Sequence, residues 1–113
     1  MTTRFSDDEM RALLPTTRPY TAMILKAGPQ RNMDGVDAVV WEHGRRNFGL
    51  RADGLLSIVC PVDDGSDVDG IAIFNLGVEE TAAVMDDDPG VRAGVFAYEL
   101  HSCRSFPGDA LPG

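Results

Sequence analysis

Residues 85–98 read MDDDPGVRAGVFAY. Three aspartates close a helical run, Pro89 and Gly90 follow, and an apolar stretch with strand character comes last. A helix C-terminus already carries partial negative charge on its free carbonyls, so acids there are mildly destabilising. Asp88 precedes a proline and is biased out of helical geometry. The segment is therefore the passage from a helix (Val78 to Asp86 or Asp87) into a strand (Arg92 to Leu100). The local rule it breaks marks a candidate site.

Working backwards, Gly77 precedes that helix, and Glu79 and Glu80 sit favourably in its first turn. Val68–Phe74 (VDGIAIF) and Leu55–Cys60 (LLSIVC) read as strands joined by the acidic turn PVDDGSD, which makes a hairpin. Before the hairpin, a helix is expected over about 34–48. Val36, Val39, Val40, His43, Asn47 and Leu50 share one face of it at spacings of three and four, and Trp41 and Phe48 form a second stripe. Tyr20–Lys26 (YTAMILK) reads as the first strand, ended by Gly28-Pro29. Ser6-Asp7-Asp8-Glu9 is a capping-box pattern that predicts a short helix over Asp7–Leu14, stopped by Pro15 and Pro19.

The resulting order is β-α-β-β-α-β after an extra helix. This is the ferredoxin-like α+β pattern, with one four-stranded antiparallel sheet. Right-handed crossovers place both helices on one face. The strands offer apolar residues to the other face too, and a bare apolar face of that size predicts a partner. A homodimer, a dimeric α/β barrel, is expected. The boundaries follow: residues 1–19 an extension with a short helix, 20–106 the domain, 107–113 a tail. In this topology the first helix and the end of the second share an edge, so His43 and Asp88 reach one cleft. A histidine or an arginine facing Asp88 makes the acid run tolerable.

Composition narrows the function classes. The formal net charge of −8 argues against nucleic acid or anionic membrane as partners. No apolar run approaches the ~18 residues of a bilayer span, and the N-terminus lacks the apolar stretch of a signal peptide, so a cytoplasmic protein is expected. Lys26 is the only lysine, and the arginine, alanine and glycine bias suggests a GC-rich bacterial genome. Cys60 and Cys103 have no CxxC spacing and read as reduced thiols. Asp63–Gly70 resembles a calcium loop, but with Gly70 at its sixth position the end ligands fall on Gly65 and Leu76, which rejects an EF-hand. No metal site and no cofactor are expected.

The motif Asp88-Pro89-Gly90-Val91-Arg92-Ala93-Gly94-Val95-Phe96 resembles the DP-x-x-x-AG-x-aromatic signature of the YCII-related (YciI-like) family. His43, eleven residues before Gly54-Leu55-Leu56, is similar to that family's helix histidine and the G-x-L that opens its second strand. The resemblance covers about residues 20–106 and implies a dimeric α+β barrel with His43 and Asp88 as the active-site pair. One member of the family removes chloride from a chlorinated hydroxyquinone, and muconolactone isomerases share the fold. This chain departs from the pattern at Gly90, where the family often has a bulky residue. It also has Val59-Cys60-Pro61 in place of AGP, and its first 19 residues have no counterpart in the short members.

Two functions fit. In the first, Asp88 orients His43, which shuttles a proton in an isomerisation or elimination on a small, aromatic or lactone, molecule. Arg46, beside His43 in the chain, and Tyr20 and Tyr98, on the first and last strands, are the candidate substrate-binding groups. In the second, the chain is a non-catalytic dimeric module that binds a small ligand in the same cleft or serves a larger pathway. A His43 ring open to a cavity and bonded to Asp88 favours the enzyme. A filled cavity favours the module.

Overall fold

Ser6 caps the first helix, as its sequence predicts. Its Oγ accepts from the Glu9 amide at 3.2 Å, and its own amide donates to Glu9 Oε1 at 3.0 Å. The computed structural model describes residues 1–113. Helix α1 spans Asp7–Leu13, and a single 3-10 turn, Leu14–Thr16, leads out of it. Strand β1 (Arg18–Ala27), helix α2 (Val36–Ala52) and the hairpin strands β2 (Leu56–Pro61) and β3 (Val68–Phe74) follow. Helix α3 (Val78–Asp86), the short helix α4 (Pro89–Arg92) and strand β4 (Phe96–Ser105) complete the chain. No helix is long and apolar enough to cross a membrane.

The sheet order is β2-β3-β1-β4, and all three pairings are antiparallel. This is the ferredoxin-like arrangement that the element order predicts. Strand alternation then sorts the side chains. Thr21, Met23 and Leu25 on β1 and Gly70, Ala72 and Phe74 on β3 are buried. They form the core with Leu56, Met85, Val95 and Phe96, against which Val36, Val39, Val40 and Leu50 of α2 pack. The alternate residues Ala22, Ile24, Ile71 and Ile73 face the other way, and Ile71 is 46% exposed.

Helix α2 runs on to Ala52 and β1 starts at Arg18, and around Asp88 the boundaries differ from the sequence reading for identifiable reasons. The chain after Asp88 does not pass straight into a strand. Asp88 caps a further helical turn, accepting from the Gly90 and Val91 amides, and Pro89 holds its first position, where a missing N–H is harmless. The last strand therefore starts at Phe96 instead of Arg92 and continues to Ser105. Pairing with β1, down to Arg18 opposite Ser105, carries it past Leu100, the expected end, through His101, Ser102 and Arg104. Trp41 and Phe48, the second stripe of α2, are 69% and 68% exposed.

The N-terminal helix stands apart from the body. None of its residues is buried. The radius of gyration, 16.6 Å, exceeds the ~13 Å of a compact domain of this length. At the root of this arm, Arg104 donates to the hydroxyl and the carbonyl of Thr17, both at 3.0 Å.

Candidate functional site

The acid run resolves into three different partners. Asp86 accepts a hydrogen bond from the Tyr98 hydroxyl at 2.6 Å. Asp87 is exposed and pairs with Arg92 at 3.2 Å. Asp88 turns inward and is 1% exposed. The C-terminus of α3 is thus also the N-terminus of α4, and the positive end of α4 receives the charge that α3 would repel.

A buried carboxylate is tolerable only if it is paired and hydrogen-bonded. Asp88 meets that condition. His43 Nδ1 lies 2.8 Å from Oδ1 and 2.9 Å from Oδ2. Oδ2 also accepts from the Gly90 amide at 2.9 Å and the Val91 amide at 3.2 Å. Arg46 Nη1 stands 3.7 Å from Oδ1, buried and without a hydrogen bond. Burial pushes the Asp88 carboxyl up. The hydrogen bond and charge of His43 and the amides of Val91 and Gly90 outweigh it, and the carboxyl is held below its ordinary value.

Asp88 can only accept, so in neutral His43 the proton sits on Nδ1 and Nε2 carries the lone pair, which accepts from the Asn47 side-chain amide. Nε2 lies 3.3 Å from the side-chain nitrogen of Asn47, one turn on along α2. The His43 side chain is 11% exposed and its ring packs at a tilt of 52° on the Phe96 ring, centroids 4.8 Å apart. It lines a cavity of about 280 Å³ between α2 and the sheet. The walls include Met23, Leu25, Leu56, Phe74 and Phe96, and the polar groups include Asn47, Arg31 and Asp69. An apolar cavity with a few convergent polar groups is the usual form of a small-molecule site.

The other candidates are placed elsewhere. Arg46 stands behind Asp88 and is not among the residues that line the cavity. Tyr20 borders a separate depression with Ser57, Asn75 and Pro107. Tyr98 is turned to α3, where the hydrogen bond to Asp86, and then burial, push its hydroxyl up to about 12. The sequence reading singled out neither Asn47 nor Arg31 as a site residue. Asn47 carried a signal, since it shares the inward face of α2 one turn from His43. Arg31 carried none, because it lies in the loop after β1.

The fold and the pair together define a ferredoxin-like α+β protein with a buried histidine–carboxylate pair on a small apolar cavity. No protein-family profile matches the chain, and no curated protein matches it. Among solved structures it is similar to 5-chloro-2-hydroxyhydroquinone dehydrochlorinase from Burkholderia phenoliruptrix, in complex with 2,5-dihydroxybenzoquinone. The TM-score is 0.51 at 15% sequence identity, over 73% of this chain and 90% of that one. At that identity the likeness is one of fold.

Proposed function

We propose that this chain is a YCII-like, homodimeric enzyme in which His43 moves a proton and Asp88 positions it. The observation that carries the proposal is the division of the imidazole: Nδ1 is bonded to a buried carboxylate, and the ring lines a cavity. A histidine held in one tautomer, its basic second nitrogen held only by the neutral Asn47 amide, is suited to general base and then general acid work.

The reaction class follows from what the pair can do. With the ring neutral, Nε2 takes a proton from an acidic C–H or O–H of the bound molecule. The electron pair left behind either shifts along a conjugated system, with the proton returned at another atom, or expels a leaving group. Those are isomerisation and elimination. Asp88 stays ionised throughout and stabilises the imidazolium that forms. The structural neighbour's name, a dehydrochlorinase acting on a chlorinated hydroxyhydroquinone, agrees with elimination on an aromatic substrate.

The bare sheet face supports the homodimer. Ala22, Ile24, Ile71 and Ile73 form an apolar strip there, beside the Lys26–Glu99 ion pair. Light scattering at micromolar concentration should give a species near twice 12.2 kDa, and a folded monomer would overturn this part.

The test of chemistry is turnover of small chlorinated hydroxyhydroquinones and unsaturated lactones by the wild type, His43→Ala and Asp88→Asn. The expected result is turnover by the wild type and a loss of about 10²–10⁴-fold in His43→Ala, the scale of general acid–base catalysis. Binding without turnover would assign the module instead. Undiminished turnover by His43→Ala would remove His43 from the reaction.

A further inference from the structure

Arg31 lies outside both helices, yet its loop is fixed to the segment that carries Asp88. The Gly28 amide donates to the Val95 carbonyl at 2.8 Å, and the Gln30 amide donates to the Gly94 carbonyl at 2.8 Å. The two strips of backbone lie so close that a methyl group on Gly28 would overlap the Gly94 carbonyl. The loop therefore has one position relative to the pair.

The side chain is fixed as well. Arg31 Nε donates to Asp69 Oδ2 at 3.0 Å. Its guanidinium carbon lies 5.7 Å from the centre of the Phe96 ring, the same ring on which His43 rests. A guanidinium has five N–H donors. Asp69 takes the one on Nε, and the terminal amino groups bond to nothing in the protein. Arg31 and His43 line the same cavity.

No other lysine or arginine lines this cavity. Arg46 faces Asp88 from outside the cavity, Arg45 is bonded to Glu42, and Lys26 is paired with Glu99. In a chain of net charge −8, a negatively charged ligand entering this cavity meets one guanidinium. Asp69 neutralises that guanidinium locally, so what remains for recognition is the directed fork of N–H groups. A fork of this kind suits a planar acceptor with two oxygens.

We propose that Arg31 is the specificity-determining residue of the cavity and that it selects small planar acids. The carboxylate of such a ligand accepts from the Arg31 terminal amino groups, and its ring lies on the apolar floor beside His43. This rests on the reading of the cavity as the reaction site and names its substrate class.

Benzoate and benzamide have nearly the same shape and differ in charge, so they serve as probes. Their binding to the full chain would be followed by NMR titration in the wild type, Arg31→Met, Arg31→Lys and His43→Ala, each first checked for a native melting transition. The wild type should prefer benzoate by about 10- to 100-fold, the scale of hydrogen bonds to a charged group. Arg31→Met should lose that preference and keep its affinity for benzamide. Arg31→Lys should lose most of it, because the charge remains and the fork does not. His43→Ala should retain it, which separates this selection from the proton-transfer reading. Equal benzoate affinity in wild type and Arg31→Lys overturns the proposal. So does a wild type that binds neither probe, or binds both alike.

Discussion

Asp88 presents both carboxylate oxygens to a single nitrogen of His43, at 2.8 and 2.9 Å, across 45 residues of sequence. Neither group is held by the other alone. The α4 amides fix the carboxylate, and the Phe96 ring supports the imidazole. Truncation and isosteric replacement should therefore have different consequences. Asp88→Ala strands a histidine and an arginine and removes a helix cap. It should destabilise the protein by about 3–5 kcal/mol, the usual result of removing one member of a buried pair. Asp88→Asn keeps the shape and should unfold at higher denaturant than Asp88→Ala. A urea titration of the three proteins measures the order.

Acid should weaken the fold through the same carboxylate. Its folded value lies below the ordinary 3.8. As pH falls the unfolded chain takes up the proton first, so the unfolded state gains. The stabilisation from Asp88 is full at neutral pH and is lost as pH drops below about 4, through the folded value. The melting temperature of the wild type should fall more steeply over that range than that of Asp88→Asn. Parallel acid limbs in the two proteins would contradict the assignment.

Two glycines should respond to alanine with opposite signs. At Gly90 a methyl group would overlap the buried Phe96 ring and press on Asp88 Oδ2. Overpacking of this kind costs about 1–3 kcal/mol. At Gly44, within α2, a methyl group meets nothing within 4 Å, and a helix-interior Gly→Ala gains roughly 0.5–1 kcal/mol. Chemical denaturation of both variants checks the pair.

The Tyr98 hydroxyl should ionise late because of one neighbour. Asp86→Asn removes the charged acceptor and should bring it from about 12 back towards the ordinary 10.0. Ultraviolet titration of wild type and variant reads this directly.

Much of the fold was legible because the strong signals were local. The Ser6–Glu9 capping box, the hairpin around Gly65 and the inward stripe Val36-Val39-Val40-His43 each depend on residues close in sequence. The turn at Pro89 was harder to read. Asp-Pro announces both the end of one helix and the start of another, and only the burial of Asp88 under His43 decides for the second. The site was half legible. His43 and Asp88 follow from topology and motif, since α2 and the end of α3 meet over one edge. Arg31 does not, because its place comes from a close approach between Gly28 and Gly94, and backbone contact of that kind leaves no periodic trace.

The exposure of Trp41 has a practical consequence. It is the only tryptophan, and it stands on the outer face of α2, two residues from His43 but turned away from the cavity. Its emission in the folded protein should already resemble that of a solvated indole, so fluorescence will be a poor reporter of unfolding. It becomes a good reporter of contact. A blue shift on adding another macromolecule would mean that the outer face of α2 has been covered, whereas pairing through the sheet would leave the emission unchanged.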